Sequence, residues 1–285
     1  MKHKTGNVKV ARLFWNCGKF PTFKIRWHEI RSSAMSILPE DECENEATRT
    51  IIPHQMNDLA LTEHYHQLYT ESVEQIRSGG VKTDAWLDEP SDNRRGITLL
   101  IRPDKQVKER IAEWLNILRK AEPGQYYYPD SDFHITLLSV ISCYSGFHPA
   151  QIELPRYLNL IDECLNEEKS FEMRMKGATA SPSGLMIQGF SENDRLNELR
   201  EKLRARFRQT DLQQSIDKRY ILQTAHSTVV RFRKPLQRKE AFLDLLECYR
   251  DVDFGTFRVE EVELVTNDWY LRKEKVQTLG RFRLG

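Results

Sequence analysis

The sequence predicts an α+β fold of two pseudo-symmetric lobes, each an antiparallel sheet backed by helices, with a central groove between them. Three observations predict it. Short apolar, β-branched runs alternate with amphipathic stretches of helical length from residue 97 to the C-terminal region. In order, these elements repeat once: strand 97–101, helix, strand, helix, strand 171–179 is answered by strand 184–190, helix, strand, helix, strand 256–266. The middle strand of each half carries a His-x-Thr triplet, His134-Ile135-Thr136 in one and His226-Ser227-Thr228 in the other. Side chains at i and i+2 of a strand share a face, so each triplet aims an imidazole and a hydroxyl into the groove.

Composition sets the bounds. A chain of 285 residues with 39% hydrophobic, 30% charged and 10% aromatic residues fits one large globular domain, or a domain with an extension. The net charge of +1 gives no global field for a polyanion, so such binding falls to local basic patches. Cys17, Cys43, Cys143, Cys164 and Cys248 are dispersed without a CxxC, which reads as reduced thiols in a cytoplasmic protein rather than a disulfide frame or zinc site. No apolar run approaches transmembrane length and no signal-peptide core opens the chain, so no membrane partner is expected.

The elements follow in order. Residues 1–31 hold eight Lys or Arg against Glu29 alone, and an acidic cluster follows at 40–46. This stretch reads as a transit peptide, a basic arm for nucleic acid, a loosely ordered extension, or translation begun upstream of Met35 or Met56. A helix is expected over 58–77, ended by Gly79-Gly80, and residues 1–90 are expected to be an N-terminal extension to a bilobal domain over 91–285. Asp104 caps a helix to Lys120 whose apolar stripe is Val107, Ile111, Trp114, Leu115 and Leu118. Pro123-Gly124 turns the chain toward the His134 strand, and Pro155 starts a helix to Glu167. Strands 171–179 and 184–190 form a hairpin, closed by Ser181-Pro182-Ser183-Gly184. Helices over 192–207 and 237–249 flank the His226 strand, and strands 256–266 and 277–284 end the chain.

The triplet alone proves little, since His3-Lys4-Thr5 also fits it within a lysine-rich terminus. The two internal copies differ in context, as they occupy equivalent strands of the repeat. His134-Ile135-Thr136-Leu137 and His226-Ser227-Thr228-Val229, so placed, resemble the paired H-x-[ST]-hydrophobic signature of the two-histidine (2H) phosphoesterase superfamily. Its members include bacterial RNA 2′,3′-cyclic phosphodiesterases, also called 2′-5′ RNA ligases. The resemblance covers roughly residues 91–285.

That resemblance implies a metal-independent phosphoesterase with no cofactor, acting as a monomer on an RNA end or a small nucleotide, first of all at a 2′,3′-cyclic phosphate. Substrate alternatives are a 2′-5′ oligonucleotide or an RNA 3′ end, and a catalytically inactive RNA-binding relative is the reading from another class. It implies further that His134 and His226 are the acid/base pair and Thr136 and Thr228 the phosphate clamps. The chemistry is sound: an imidazole exchanges protons near neutrality, and fixed hydroxyl donors stabilise charge on phosphate oxygens. His28, His54, His64, His66 and His148 have no partners at ligand spacing, so no metal is expected. Substrate contacts are expected from Tyr128, in the Tyr126-Tyr127-Tyr128 run, and from Tyr270, beside Trp269, as base-stacking aromatics. Arg231 supplies local positive charge, although strict alternation from His226 sets it on the opposite face from the pair.

Overall fold

Among the described residues the periodicity resolves into nine strands and five α-helices. The computed structural model describes residues 58–285. The basic and acidic stretches of 1–46 lie outside the described residues, as do Cys17, Cys43, His3, His28 and His54.

Helix α1 (Asp58–Gly79) precedes β1 (Arg94–Ile101), and α2 (Lys105–Ala121) begins at Asp104, whose carboxylate accepts from Val107 N at 2.8 Å. Such a cap contributes about 1 kcal/mol. The short β2 (Tyr126–Tyr127) leads to β3 (Ile135–Ser145), then α3 (Leu154–Leu165) and the hairpin of β4 (Phe171–Ser181) and β5 (Gly184–Ser191). The helix expected from residue 192 starts later, as α4 (Arg195–Arg208), after a single turn in which Asn193 and Asp194 hold positive φ. Asn and Asp tolerate that left-handed region better than other side chains. Then come β6 (Ala225–Arg231) and α5 (Lys239–Cys248).

Residues 253–267 correct the sequence reading. Periodicity predicts one strand over 256–266, but the chain forms β7 (Asp253–Val259) and β8 (Glu261–Asn267). The paired Glu260-Glu261 breaks the alternation, so Phe257 and Val259 are buried in one phase and Val262 and Leu264 in the other. The break lets the chain change sheets. β7 pairs with β4 in a five-stranded antiparallel sheet of order β2-β6-β5-β4-β7. β8 pairs with β1 in a four-stranded sheet of order β3-β1-β8-β9, where β9 is Gln277–Arg283. Each half of the repeat therefore keeps its first two strands together and gives its third to the other sheet: β4 lies beside β5, and β8 beside β1. Helices α1, α2 and α5 pack on β4 or β7, while α3 and α4 pack on β9 or β3.

Bulges decide what faces the groove. On β3, Leu137 and Val140 are extra residues against β1, so the less buried positions fall three apart at Thr136, Ser139 and Ser142. Gly96 of β1 sits at a third irregularity, where a Cβ would collide with the Ile141 carbonyl oxygen. On β6, Val229 is the extra residue against β5. Both His-x-Thr motifs are thus followed at once by a bulge, at Leu137 and at Val229.

Candidate active site

The motif strands β3 and β6 approach each other from the two sheets, and a cleft of about 180 Å³ lies between them. His134, Thr136, His226, Thr228 and Arg231 all line it. The structure therefore brings five of the seven expected site residues together. Arg231 reaches the cleft because the Val229 bulge reverses the alternation, which corrects the opposite-face placement. Ser139 stands five residues after His134, as Arg231 does after His226, and it also lines the cleft.

Both imidazoles are held alike. His134 Nδ1 lies 2.7 Å from the carbonyl oxygen of Asp132, and His226 Nδ1 lies 2.9 Å from Thr224 Oγ1. In each case the anchor is two residues upstream, and Nε2 is left without a protein partner among the described residues. The carbonyl at His134 requires Nδ1–H as donor, so in the neutral ring Nε2 carries the free lone pair. The Thr136 and Thr228 hydroxyls are engaged by no other group among the described residues. Arg231 forms no ion pair there, and its Nε is buried without a hydrogen-bond partner. An unpaired buried guanidinium donor is costly unless an anion meets it.

Electrostatics keep both rings neutral in the free protein. Burial pulls His134 down to about 4, assisted by the charges of Arg102 and Arg231 and opposed by the Asp132 carbonyl. Burial likewise pulls His226 down to about 4, with Arg200, His134 and Arg231 adding to it. A bound phosphate would reverse part of this, because a nearby anion favours the imidazolium.

Arg200 on α4 escaped the sequence reading. It is fully buried, and its guanidinium donates to the carbonyl oxygens of Leu137 (2.9 Å), Thr136 (2.7 Å) and Thr224 (3.0 Å). One side chain thus ties the bulge after the first motif to the residue that anchors His226. A signal was available: Arg200 and Arg204 fall within the buried helical stripe of Leu196, Leu199, Leu203 and Phe207, where an apolar residue belongs. Arg204 pairs with Asp217 at 3.0 Å and donates to the Leu222 carbonyl, fixing the connection 209–224 that runs along the cleft. Ser215 in that connection donates from its backbone to Val140 O and accepts from Ser142 N, covering the free edge of β3.

Two expected contacts are placed elsewhere. Tyr128 and Tyr270 are buried and do not line the cleft. Tyr128 pairs its backbone N–H with Val229 O at the bulge, and its ring meets Tyr126 edge-on at 5.0 Å. Tyr270 lies beneath the Arg272 guanidinium. Their rings are large and apolar, and burial in the wall outweighs display to solvent. The aromatic side chains in the cleft are Trp269 and Tyr220.

The family model for the 2′-5′ RNA ligase superfamily matches residues 103–269, a span that contains both motifs and most of the cleft wall. The chain belongs to the 2′-5′ RNA ligase superfamily. Among solved structures it is similar to TT0787 of Thermus thermophilus, with a TM-score of 0.49 at 21% identity, over 66% of this chain and 97% of that one. LigT of E. coli complexed with 3′-AMP gives 0.46 at 16% identity over 67% of this chain and 98% of LigT. The Agrobacterium tumefaciens C58 protein of unknown function ATU0111 gives 0.46 at 15% identity, over 74% and 97%. No curated protein sequence matches the chain. As a 2′-5′ RNA ligase superfamily member it shares a lineage of phosphoesterases and ligases. Among the described residues no group of three His, Cys, Asp or Glu is placed to hold a metal, and no helix is long and apolar enough to cross a membrane.

Proposed function

We propose that the protein is a metal-independent phosphoesterase that opens a 2′,3′-cyclic phosphate at an RNA end or on a small nucleotide. One observation carries this reading: among the described residues, two histidines with free Nε2 atoms, two unengaged threonine hydroxyls and one arginine with no carboxylate at ion-pair distance converge on a single cleft. The Thr136 and Thr228 hydroxyls and the Arg231 guanidinium hold the non-bridging oxygens. One neutral imidazole takes a proton from water as its oxygen attacks phosphorus. The other imidazole, charged because the bound phosphate stabilises it, gives its proton to the departing ribose oxygen. The five-coordinate transition state carries added negative charge, and the three donors stabilise it without reorganising.

The test is hydrolysis of a nucleoside 2′,3′-cyclic phosphate and of cyclic-phosphate-ended RNA in the presence of EDTA. Turnover is expected in EDTA, and its loss there would sink the metal-free claim. His134→Ala and His226→Ala should each lower kcat on the order of 100-fold or more with the fold intact. Salt-sensitive RNA binding without turnover would instead favour an inactive RNA-binding relative.

A further inference from the structure

An aromatic and cationic stack leads away from the cleft, and no role has been assigned to it. Trp269 lines the cleft, and the guanidinium carbon of Arg219, which also lines it, lies 4.5 Å from the Trp269 ring centre. Arg94 touches the same indole at 5.3 Å and a second indole, Trp86, at 4.9 Å. The two rings therefore lie within about 10 Å of each other. Trp86 is 52% exposed, which is unusual for so large an apolar ring, and Tyr220 on the facing connection is 68% exposed. The Arg94 charge is committed to Asp92, with hydrogen bonds of 2.7 and 2.8 Å, so Arg94 acts as a planar spacer that fixes Trp86 in place. Arg219, Arg95 and Lys275, by contrast, stand within ion-pair distance of no carboxylate among the described residues. Arg95 and Lys275 line a separate groove with Thr266 and Val276, so of the three it is Arg219 that stands at the cleft itself. Trp86 and Arg94 fall outside the family match of 103–269, whereas Trp269 and Arg219 fall within it.

We propose that the Trp86–Arg94–Trp269–Arg219 stack is the binding platform for the single-stranded RNA that runs back from the reacting phosphate, which makes a polynucleotide end, rather than a free nucleotide, the preferred substrate. This rests on the phosphodiester reading above and deepens it. The exposed Trp86 ring and Arg219 guanidinium offer faces to bases of any identity, and the Arg219 charge meets a backbone phosphate. A reach of about 10 Å matches two to three stacked nucleotides at roughly 3.4 Å each. The recognition is by stacking and charge, so it is indifferent to sequence and weakens with salt.

Two substrates test it: a nucleoside 2′,3′-cyclic phosphate and a four-nucleotide RNA with the same cyclic end. In the wild type kcat/KM for the tetramer should exceed that for the nucleotide by about tenfold or more. In Trp86→Ala that ratio should fall to near one, and Trp86→Phe should restore most of it. A wild-type ratio near one, or a ratio that survives Trp86→Ala, overturns the proposal. Fluorescence anisotropy with a labelled RNA tetramer separates the two readings. If neither substrate is hydrolysed but tetramer affinity falls about tenfold in Trp86→Ala, the phosphoesterase reading fails and the platform stands. Equal affinity in both proteins removes the platform whatever the turnover.

Discussion

Arg200 holds the segments that carry both motifs. Its three carbonyl bonds span both motifs, and its charge is also the largest influence, after burial, on the low pKa of His226. Arg200→Met leaves those carbonyls without a buried donor, and an unsatisfied buried acceptor costs about 1–3 kcal/mol. We expect urea unfolding of Arg200→Met to show a loss on the order of 3 kcal/mol. In the folded variant, NMR titration should show the His226 pKa moving upward, because one repelling cation is gone. A purely structural role would not move that titration. Arg231→Lys tests a different property. Lysine keeps the charge but loses the planar fork that meets two phosphate oxygens, so KM for a cyclic phosphate should rise about tenfold while the fold is unchanged.

At the scale of elements, the two bulges convert ordinary strands into site-bearing ones. Without the Val229 bulge, alternation would turn Arg231 away from the cleft, and β6 would present only a histidine and a threonine. The helix α1 supports the same strand from behind. Its Tyr65 hydroxyl donates to Ala225 O at 2.6 Å, next to His226, and the ring is fully buried against Phe190. Tyr65→Phe removes one buried donor and should cost about 1 kcal/mol. Tyr65→Ala leaves a cavity as well and should cost about 4 kcal/mol, both read by chemical denaturation. If Tyr65→Ala is neutral, α1 is not a working part of the fold of β6.

For the whole molecule, the two neutral histidines set a pH dependence of stability. Each has a folded pKa of about 4, against 6.5 when unfolded. Between those values the unfolded chain binds more protons than the folded one, so their contribution is present above pH 6.5 and is lost as pH falls toward 4. Buried Asp132 and Asp268 have raised pKa values and act in the opposite sense. The difference between wild type and a His134→Gln/His226→Gln protein cancels them. That difference in unfolding free energy should be steepest between pH 6.5 and 4; a flat difference would mean that the rings are charged in the fold.

Most of the element order, the Asp104 cap and the two His-x-Thr segments were legible in the sequence, because these follow from local periodicity and short-range hydrogen bonding, although His134 itself stands one residue before β3. The pairing of sheets was less legible. A β-branched run does not state its partner, so the exchange of third strands between sheets and the break at Glu260 appear only in the assembled ladders. The histidine pair and its threonines were visible, whereas the rest of the site depended on distance in the chain. Arg231 needed a bulge, which is a property of two strands in register and not of one. Arg200 needed the meeting of α4 with β3 and the approach to β6, and Trp269, rather than Tyr270, reached the cleft because burial selects one neighbour of a pair. Local pattern thus names the reacting groups, whereas their surroundings and orientation come from packing, because burial and hydrogen-bond satisfaction are settled between segments far apart in the chain.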